Sequence, residues 1–169
     1  MAEYDQPRGT HLAHFNWATL LGDFGSAEVA PFETAIPKVN ALAERSRGFV
    51  WRHGDERAAG LAVDWPIFSG DPRAIASFSV WERPADLRGY VYRTVHGAFF
   101  RRGAEWFVPG SGRHVLWWVP AGHVPTVTEA RDRVESLDRA GPGPAAFTFA
   151  ELAEPAPAGD GGDLPIAEA

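Results

Sequence analysis

Two predicted strands, residues 73–82 and 113–120, are apolar on both of their faces, and this limits what the chain can fold into. Alternate residues of a strand point to opposite faces of its sheet. Phe78 and Val80 therefore lie on one face and Trp81 on the other, and the second strand repeats the pattern. Both faces of such a sheet must be covered, because large exposed apolar patches are unusual in soluble proteins.

The order of the other elements predicts an α+β fold with a ferredoxin-like protomer. The predicted elements are strand 10–17, helix 31–46, strand 48–53, strand 73–82, a helix from Pro84, strand 113–120, helix 125–141 and a short strand 146–149. Pro37 lies inside the first helix and predicts a kink or a late start there.

The chain's own helices can cover one face of this sheet, and too few helices remain to cover the other. A second copy of the sheet is the simplest cover, so the sequence predicts a homodimer. Its interface is expected to include Phe78, Val80, Leu116 or Trp118, or their neighbours on the opposite face.

Composition sets the broad class. The chain has 169 residues and no cysteine, which excludes disulfides and thiolate chemistry. A net charge of −6 argues against a nucleic-acid surface. No apolar run approaches the roughly 18 residues of a membrane helix, and the first residues do not form a secretory signal. A cytoplasmic protein without a membrane partner is expected.

One folded domain is predicted over residues 10–149. Residues 1–9 are polar and are expected to be flexible, and residues 150–169, rich in Ala, Pro, Gly and acidic groups, are expected to form a disordered and dispensable tail. Residues 54–72 mix Gly and Pro with large apolar groups. They predict either a functional loop or an ordinary loop anchored by its apolar residues.

His96 is the histidine with the most informative surroundings. In one straight helix from Pro84 to Phe107 it would lie at the edge of the apolar stripe. If the helix breaks near Arg93 and Thr94, His96 lies in the middle of an aromatic face. That face comprises Val95, Phe99, Phe100, Trp106 and Phe107. Such an imidazole is either a hydrogen-bonded core group or a site residue.

The first strand carries the other polar candidates. His14 and Asn16 share one of its faces and are expected to meet the helix that bears His96. An asparagine can orient a carbonyl or dioxygen, and a histidine can act as a base or a ligand. A metal site is not predicted, because His14, His53 and His96 have no short ligand spacing. His53 and His123 are expected to be loop or strand-end residues.

Four stretches, HLAHFN, PKVNALAERSRGFVWRH, SVWERPADLRGYVYRTVHGAFFRRGAEWF and HVLWWVPAGHVPTVTEARDRVESL, resemble a bacterial family of unknown function. That family is similar to the antibiotic-biosynthesis monooxygenases of the dimeric α+β barrel superfamily. The resemblance covers about residues 10–149. It implies a homodimer with face-to-face sheets and a pocket between each sheet and its own helices.

The superfamily also includes haem-degrading enzymes that use an asparagine on the first strand and a tryptophan and a histidine after the third. Asn16 resembles the asparagine and His96 the histidine, whereas Tyr90 or Tyr92 stands where the tryptophan would be sought. The catalytic residues predicted are His96 and Asn16. The residues predicted to bind the substrate are His14, Trp81, Tyr90, Tyr92, Arg93, Phe99 and Phe100.

Two classes of function follow from these observations. The first is a small monooxygenase-like enzyme acting on an aromatic or polyketide-like molecule, with no cofactor or with haem. The second is a protein that binds or degrades haem, or a non-catalytic dimer that binds a small apolar molecule or a partner. Fold alone does not decide between them.

Overall fold

A computed structural model of the chain describes residues 4–54, 71–93 and 102–152, with the backbone alone at Arg93. Its strands are β1 (Thr10–Thr19), β2 (Phe49–Arg52), β3 (Ala74–Trp81) and β4 (Arg113–Pro120). Its α-helices are α1 (Ala30–Arg45), α2 (Pro84–Arg93) and α3 (Val127–Ala140). Two short 3₁₀ turns span Gly103–Glu105 and Phe149–Glu151.

The four strands form one antiparallel sheet in the order β2-β3-β1-β4, with β1 in the middle. The chain order β1-α1-β2-β3-α2-β4 with this strand order is the ferredoxin-like arrangement. The prediction of an α+β, ferredoxin-like protomer is confirmed. β1 pairs with β3 on one side and β4 on the other. Its own side chains therefore lie near the centre of each face of the sheet.

Helix α1 begins at Ala30 and continues through Pro37, so the late start is excluded and the kink expected at Pro37 stays a prediction. One local prediction was wrong. Residues 146–149 form isolated bridges, one of them between Leu116 and Phe147, and not a fifth strand. The strand is cut short because Thr148 caps a 3₁₀ turn: the Glu151 carboxylate accepts the Thr148 backbone N–H at 2.7 Å.

Helices pack on both faces of the sheet. Leu12, on one face of β1, packs with Ala43 of α1 and Leu87 of α2. Phe15, on the other face, belongs to a core that includes Ala130 and Val134 of α3, which are 0% and 1% exposed. α3 begins directly after the β4 turn because Thr126 and Glu129 form a capping box.

The reason given for a second copy of the sheet is therefore wrong, since α3 supplies the missing cover. Phe78, Val80 and Leu116, expected at an interface, are already 2%, 0% and 0% exposed within the single chain. The homodimer itself is not tested by the fold of one chain and stays a prediction.

The packed part of the chain extends beyond the predicted bounds of 10–149 at both ends. Leu152, placed by sequence in the tail, is 5% exposed and lies in the core with Phe147. The Tyr4 ring lies 5.3 Å from the Phe147 ring, and the Tyr4 N–H donates to the Glu151 carbonyl at 3.0 Å. Arg88 of α2 donates to the carbonyls of Phe149 and Leu152. Residues 4–9 and 150–152 thus belong to the folded part of the chain.

Gly48 lies in the turn that joins α1 to β2, and a substitution there tests how much this turn contributes to stability. Its φ of +72° lies in the left-handed region, and a Cβ there would overlap the carboxylate of Asp86. Asp86 cannot move away freely because its side chain is 7% exposed and pairs with Arg83 at 3.2 Å. We expect Gly48→Ala to lower the free energy of unfolding by about 1–3 kcal/mol, measured by chemical denaturation.

Gly122→Ala is the matched control, because Gly122 has a φ of +87° and no atom within 4 Å of an added Cβ. It should show the conformational cost without the overlap, about 1 kcal/mol. Equal losses in the two variants would show that the contact with Asp86 adds nothing.

Candidate functional site

A cavity of about 530 Å³ lies between the sheet and helices α1 and α2. Its floor is the face of the sheet that carries His14 and Asn16. Phe32, Ile36 and Val39 of α1 line one side. This volume is in the range usual for small-molecule sites.

The strand register places polar side chains in rows across the cavity floor. Asn16 of β1 lies opposite Ser77 of β3 on one side and His114 of β4 on the other. His14 lies between Ser79 and Leu116 in the next row. Residues paired across neighbouring antiparallel strands have Cα atoms about 4.5–5.5 Å apart. Polar groups from three strands therefore lie side by side under an otherwise apolar space.

The following row, formed by Leu12, Trp81 and Trp118, is apolar. Trp81 is fully buried, and its indole N–H donates to the Ser79 hydroxyl at 3.0 Å. Its ring stacks on Tyr90 at 5.1 Å. Trp81 is not among the residues that line the cavity, and it supports Tyr90 and Ser79, which are. The predicted contact of Trp81 with a substrate stays a prediction.

Tyr90 and Tyr92 bring α2 to the cavity wall. The Tyr90 hydroxyl donates to the Val39 carbonyl at 3.3 Å and so joins α2 to α1. Tyr92 is 54% exposed, and its ring meets the Phe149 ring edge-on at 6.1 Å. Tyr90 thus fixes the wall, while Tyr92 stands at its outer rim.

The segment after residue 102 closes the Thr19 end of the cavity. Phe107 forms a bridge with Leu20, and the Val108 N–H donates to the Thr19 carbonyl at 2.8 Å. The ring of Phe107 meets that of Phe32 edge-on at 5.0 Å. Trp106, 3% exposed, lies beside them. The cavity is therefore aromatic at this end and polar on its floor.

His114 was missed by the sequence reasoning. It lies on the same strand face as Leu116 and Trp118, so the alternation of β4 could have indicated it. Its Nε2 accepts the backbone N–H of Phe149 at 3.2 Å, and its ring lies 5.1 Å from the Phe149 ring and 6.2 Å from that of His14. Phe149 was also missed, and no pattern in the sequence indicates that it folds back onto β4.

Burial lowers the pKa of His114 below its ordinary value of 6.5, and the negative charge of Glu151 opposes the shift without cancelling it. The neutral imidazole is therefore the stable form near pH 7. The hydrogen bond from Phe149 requires the same form, because a protonated ring has no acceptor.

Several of the predicted site residues meet at one place. His14, Asn16, Tyr90 and Tyr92 line the same cavity. His96, Phe99, Phe100 and the side chain of Arg93 lie outside the described residues. The proposed pairing of His96 with Asn16 therefore stays a prediction.

Two further histidines, His53 and His123, do not line the cavity. The His53 N–H donates to the Phe78 carbonyl at 2.8 Å at the end of β2. His123 is partly exposed and pairs with Glu129 at 3.0 Å after β4. Among residues 4–54, 71–93 and 102–152, no three His, Asp or Glu side chains are grouped as a metal site requires.

Residues 11–160 match the family described as a domain of unknown function, DUF3291. The chain belongs to this family. The resemblance noted from the sequence is confirmed to that extent. No curated protein sequence matches the chain.

The chain is also similar to several solved structures, among them the following three. The NE2512 protein of unknown function from Nitrosomonas europaea is 13% identical, with 71% of this chain and 99% of that chain covered and a TM-score of 0.46. SnoaB from Streptomyces nogalater, a cofactor-independent oxygenase, is 17% identical, with 69% and 98% covered and a TM-score of 0.45. A monooxygenase from the gene ActVA-Orf6 of Streptomyces coelicolor, in complex with nanaomycin D, is 14% identical, with 71% and 96% covered and a TM-score of 0.45. These activities and this ligand belong to those proteins.

None of the helices in the described part of the chain is both long and apolar enough to cross a membrane. The cavity described above can carry a small-molecule function. Its polar floor can orient a ligand and its aromatic walls can hold one.

The protonation of His114 should appear in the stability of the protein. The folded-state pKa lies below 6.5, so the unfolded chain binds more protons when the pH falls below that value. The contribution of His114 to the free energy of unfolding is thus complete above about pH 6.5 and is lost as the pH falls through the folded-state pKa.

We expect the His114 ring signal in an NMR titration, assigned by its loss in His114→Gln, to titrate below pH 6.5. Wild-type protein should lose more stability between about pH 6.5 and 5 than His114→Gln, as measured by urea denaturation at each pH. A His114 signal that titrates at or above the ordinary value would contradict the assignment of a neutral, buried acceptor.

Proposed function

We propose that this protein is a small monooxygenase-like enzyme that acts on an aromatic or polyketide-like molecule in the cavity between sheet and helices. The observation that supports the proposal most is the placement of His14, Asn16 and His114 on one floor of a cavity whose walls are largely apolar. A cytoplasmic location belongs to the same proposal.

The aromatic lining of the cavity favours a planar apolar ligand. Phe32, Trp106 and Phe107 at the Thr19 end, with Tyr90 and Phe149 elsewhere, provide aromatic surface. Aromatic pairs contribute about 0.5–1.5 kcal/mol beyond the area that they bury. The ring system would lie against these walls, and its oxygen substituents would face the polar floor.

The proposed reaction needs only a base and groups that stabilise an oxygen anion. A hydroxyaromatic or activated CH₂ compound loses a proton to an imidazole, His14 or His96. The resulting anion is electron-rich and reduces O₂. Conversion of the CH₂ group to a carbonyl uses one O₂ and releases one water, so atoms and electrons balance without another reductant. Asn16 would hold the oxygen on which negative charge develops.

Haem was the alternative cofactor, and the described lining does not fit it well. The Nε2 of His114 already accepts a hydrogen bond from Phe149. Arg113 is the one cation among the described lining residues, and it pairs with Asp138 and lies over the Trp17 ring at 5.2 Å. The two carboxylates of haem would find no available counter-charge there. The reaction steps proposed above therefore do not use haem.

Anthrone is a suitable probe, since it is a planar tricycle with an activated CH₂ group. We expect O₂ uptake in a 1:1 ratio with anthraquinone formed, and incorporation of one ¹⁸O atom from ¹⁸O₂. Asn16→Ala, His14→Phe and His96→Ala should each be tested. Loss of the general base should reduce kcat about 10²–10⁴-fold, and thermal melting should show that each variant is folded.

His123→Ala is the matched control, because His123 lies outside the cavity lining and should leave the rate unchanged. Binding of anthrone without O₂ uptake above the uncatalysed rate would favour a non-catalytic binding protein. A new Soret band on titration with haemin would favour the haem alternative. A rate that no cavity variant changes would contradict the site.

The homodimer is a separate part of the proposal and is supported by the resemblance noted in the sequence. Its interface cannot use the buried Phe78 and Val80 unless α3 moves, and Leu116 is buried in the core on the opposite face of the sheet. Light scattering at micromolar concentration should give twice the chain mass of 18.4 kDa. A monomer would refute it.

A further inference from the structure

We propose that His114 recognises the ligand as a hydrogen-bond donor through Nδ1–H, so that the site selects aromatic molecules with a carbonyl or phenolate oxygen. This inference rests on the proposed site and assigns a role to a residue outside the predicted set. It differs from base catalysis, since His114 gives a hydrogen bond and takes no proton.

The first step concerns the tautomer. The Nε2 of His114 accepts the Phe149 N–H at 3.2 Å. A nitrogen that accepts a hydrogen bond carries no proton, so the proton of a neutral imidazole must sit on Nδ1. The backbone bond therefore fixes one tautomer, and it does so through a group that cannot titrate.

The second step concerns the position of the ring. His114 is half-buried and lines the cavity. Within the described part of the chain its ring makes no other hydrogen bond than that from Phe149. The rings of Phe149 and His14, with centroids 5.1 and 6.2 Å from that of His114, restrict its rotation. Nδ1–H thus has no hydrogen-bond partner among the described residues, on a ring that is held in place and lines the cavity.

The third step concerns the neighbour. Asn16 lies directly opposite His114 in the β1–β4 register, and it also lines the cavity. The Asn amide supplies a second donor beside the imidazole. A carbonyl or phenolate oxygen has lone pairs for both donors, whereas an apolar ligand would leave them unpaired.

The charges around the ring agree with this role. Glu151 is the carboxylate that acts on His114, and its side chain is already held by the Thr148 N–H and hydroxyl at 2.7 and 2.8 Å. Arg113 on the neighbouring position of β4 is paired with Asp138, and Arg88 donates to the Phe149 carbonyl at 3.1 Å. None of these described groups needs His114 as a charged partner.

The test compares two probes of the same shape, 9-fluorenone and fluorene, which differ in one carbonyl oxygen. Binding can be followed by quenching of tryptophan fluorescence, because Trp17 and Trp106 line the cavity. We expect wild-type protein to bind 9-fluorenone about tenfold more tightly than fluorene, the factor that corresponds to one hydrogen bond.

Three variants assign the donor. His114→Phe should abolish the preference and leave fluorene binding within about twofold. His114→Gln should retain part of it, since its amide can accept from Phe149 and donate to the ligand. Asn16→Ala should weaken the preference without abolishing it. Long-range ¹H–¹⁵N NMR should show the His114 proton on Nδ1 in the free protein.

A proton on Nε2, the absence of any preference in wild-type protein, or a preference unchanged by His114→Phe would each overturn the inference. Failure of the enzymatic proposal is a different result. If anthrone is not oxidised while the preference for 9-fluorenone follows His114, the donor role stands and the catalytic role falls.

Discussion

The alternation of side chains along β1 is the constraint on which the rest of the structure depends. β1 pairs with β3 and β4, so neither of its edges is open and its side chains must point into one of two cores. Ala13 and Phe15 enter an apolar core under α3, while His14 and Asn16 point to the opposite face. A slip of one residue would exchange the two sets and bury both polar groups in the wrong core. The register that stabilises the fold is therefore the register that forms the polar floor.

The polar floor is tolerable because it is restricted to one end of that face. Towards the other end the same face is filled by Leu12, Trp81, Leu87 and Leu116, all fully buried. Burial of one such side chain contributes about 1.5–3 kcal/mol, whereas a buried polar group costs about 1–3 kcal/mol if it lacks a partner. The apolar end of this face packs against α1 and α2 and stabilises the fold. The polar end can therefore bind a ligand without disturbing that packing.

The residues after α3 link the site to both ends of the domain. The Phe149 N–H donates to His114, the Phe149 carbonyl accepts from Arg88, and the nearby Glu151 carbonyl accepts from the Tyr4 N–H. One short segment thus connects β4, α2 and the beginning of the chain. It also fixes the proton of His114 on one nitrogen, so the chemistry of the cavity floor depends on contacts that are made at its rim.

Local patterns in the sequence determined the elements of this fold. The alternation of residues 113–120 predicts β4 with its observed bounds, and the division of β1 into two faces follows from the order of its residues alone. The same alternation placed His14 and Asn16 together, because neighbours of equal parity on a strand share a face whatever the fold. Only the tertiary structure decided that α3 covers the second face, that Trp81 lies behind the site, and that His114 lies beside Asn16. Those facts depend on contacts between residues far apart in the chain, such as Phe149 with His114, and no local period encodes such contacts.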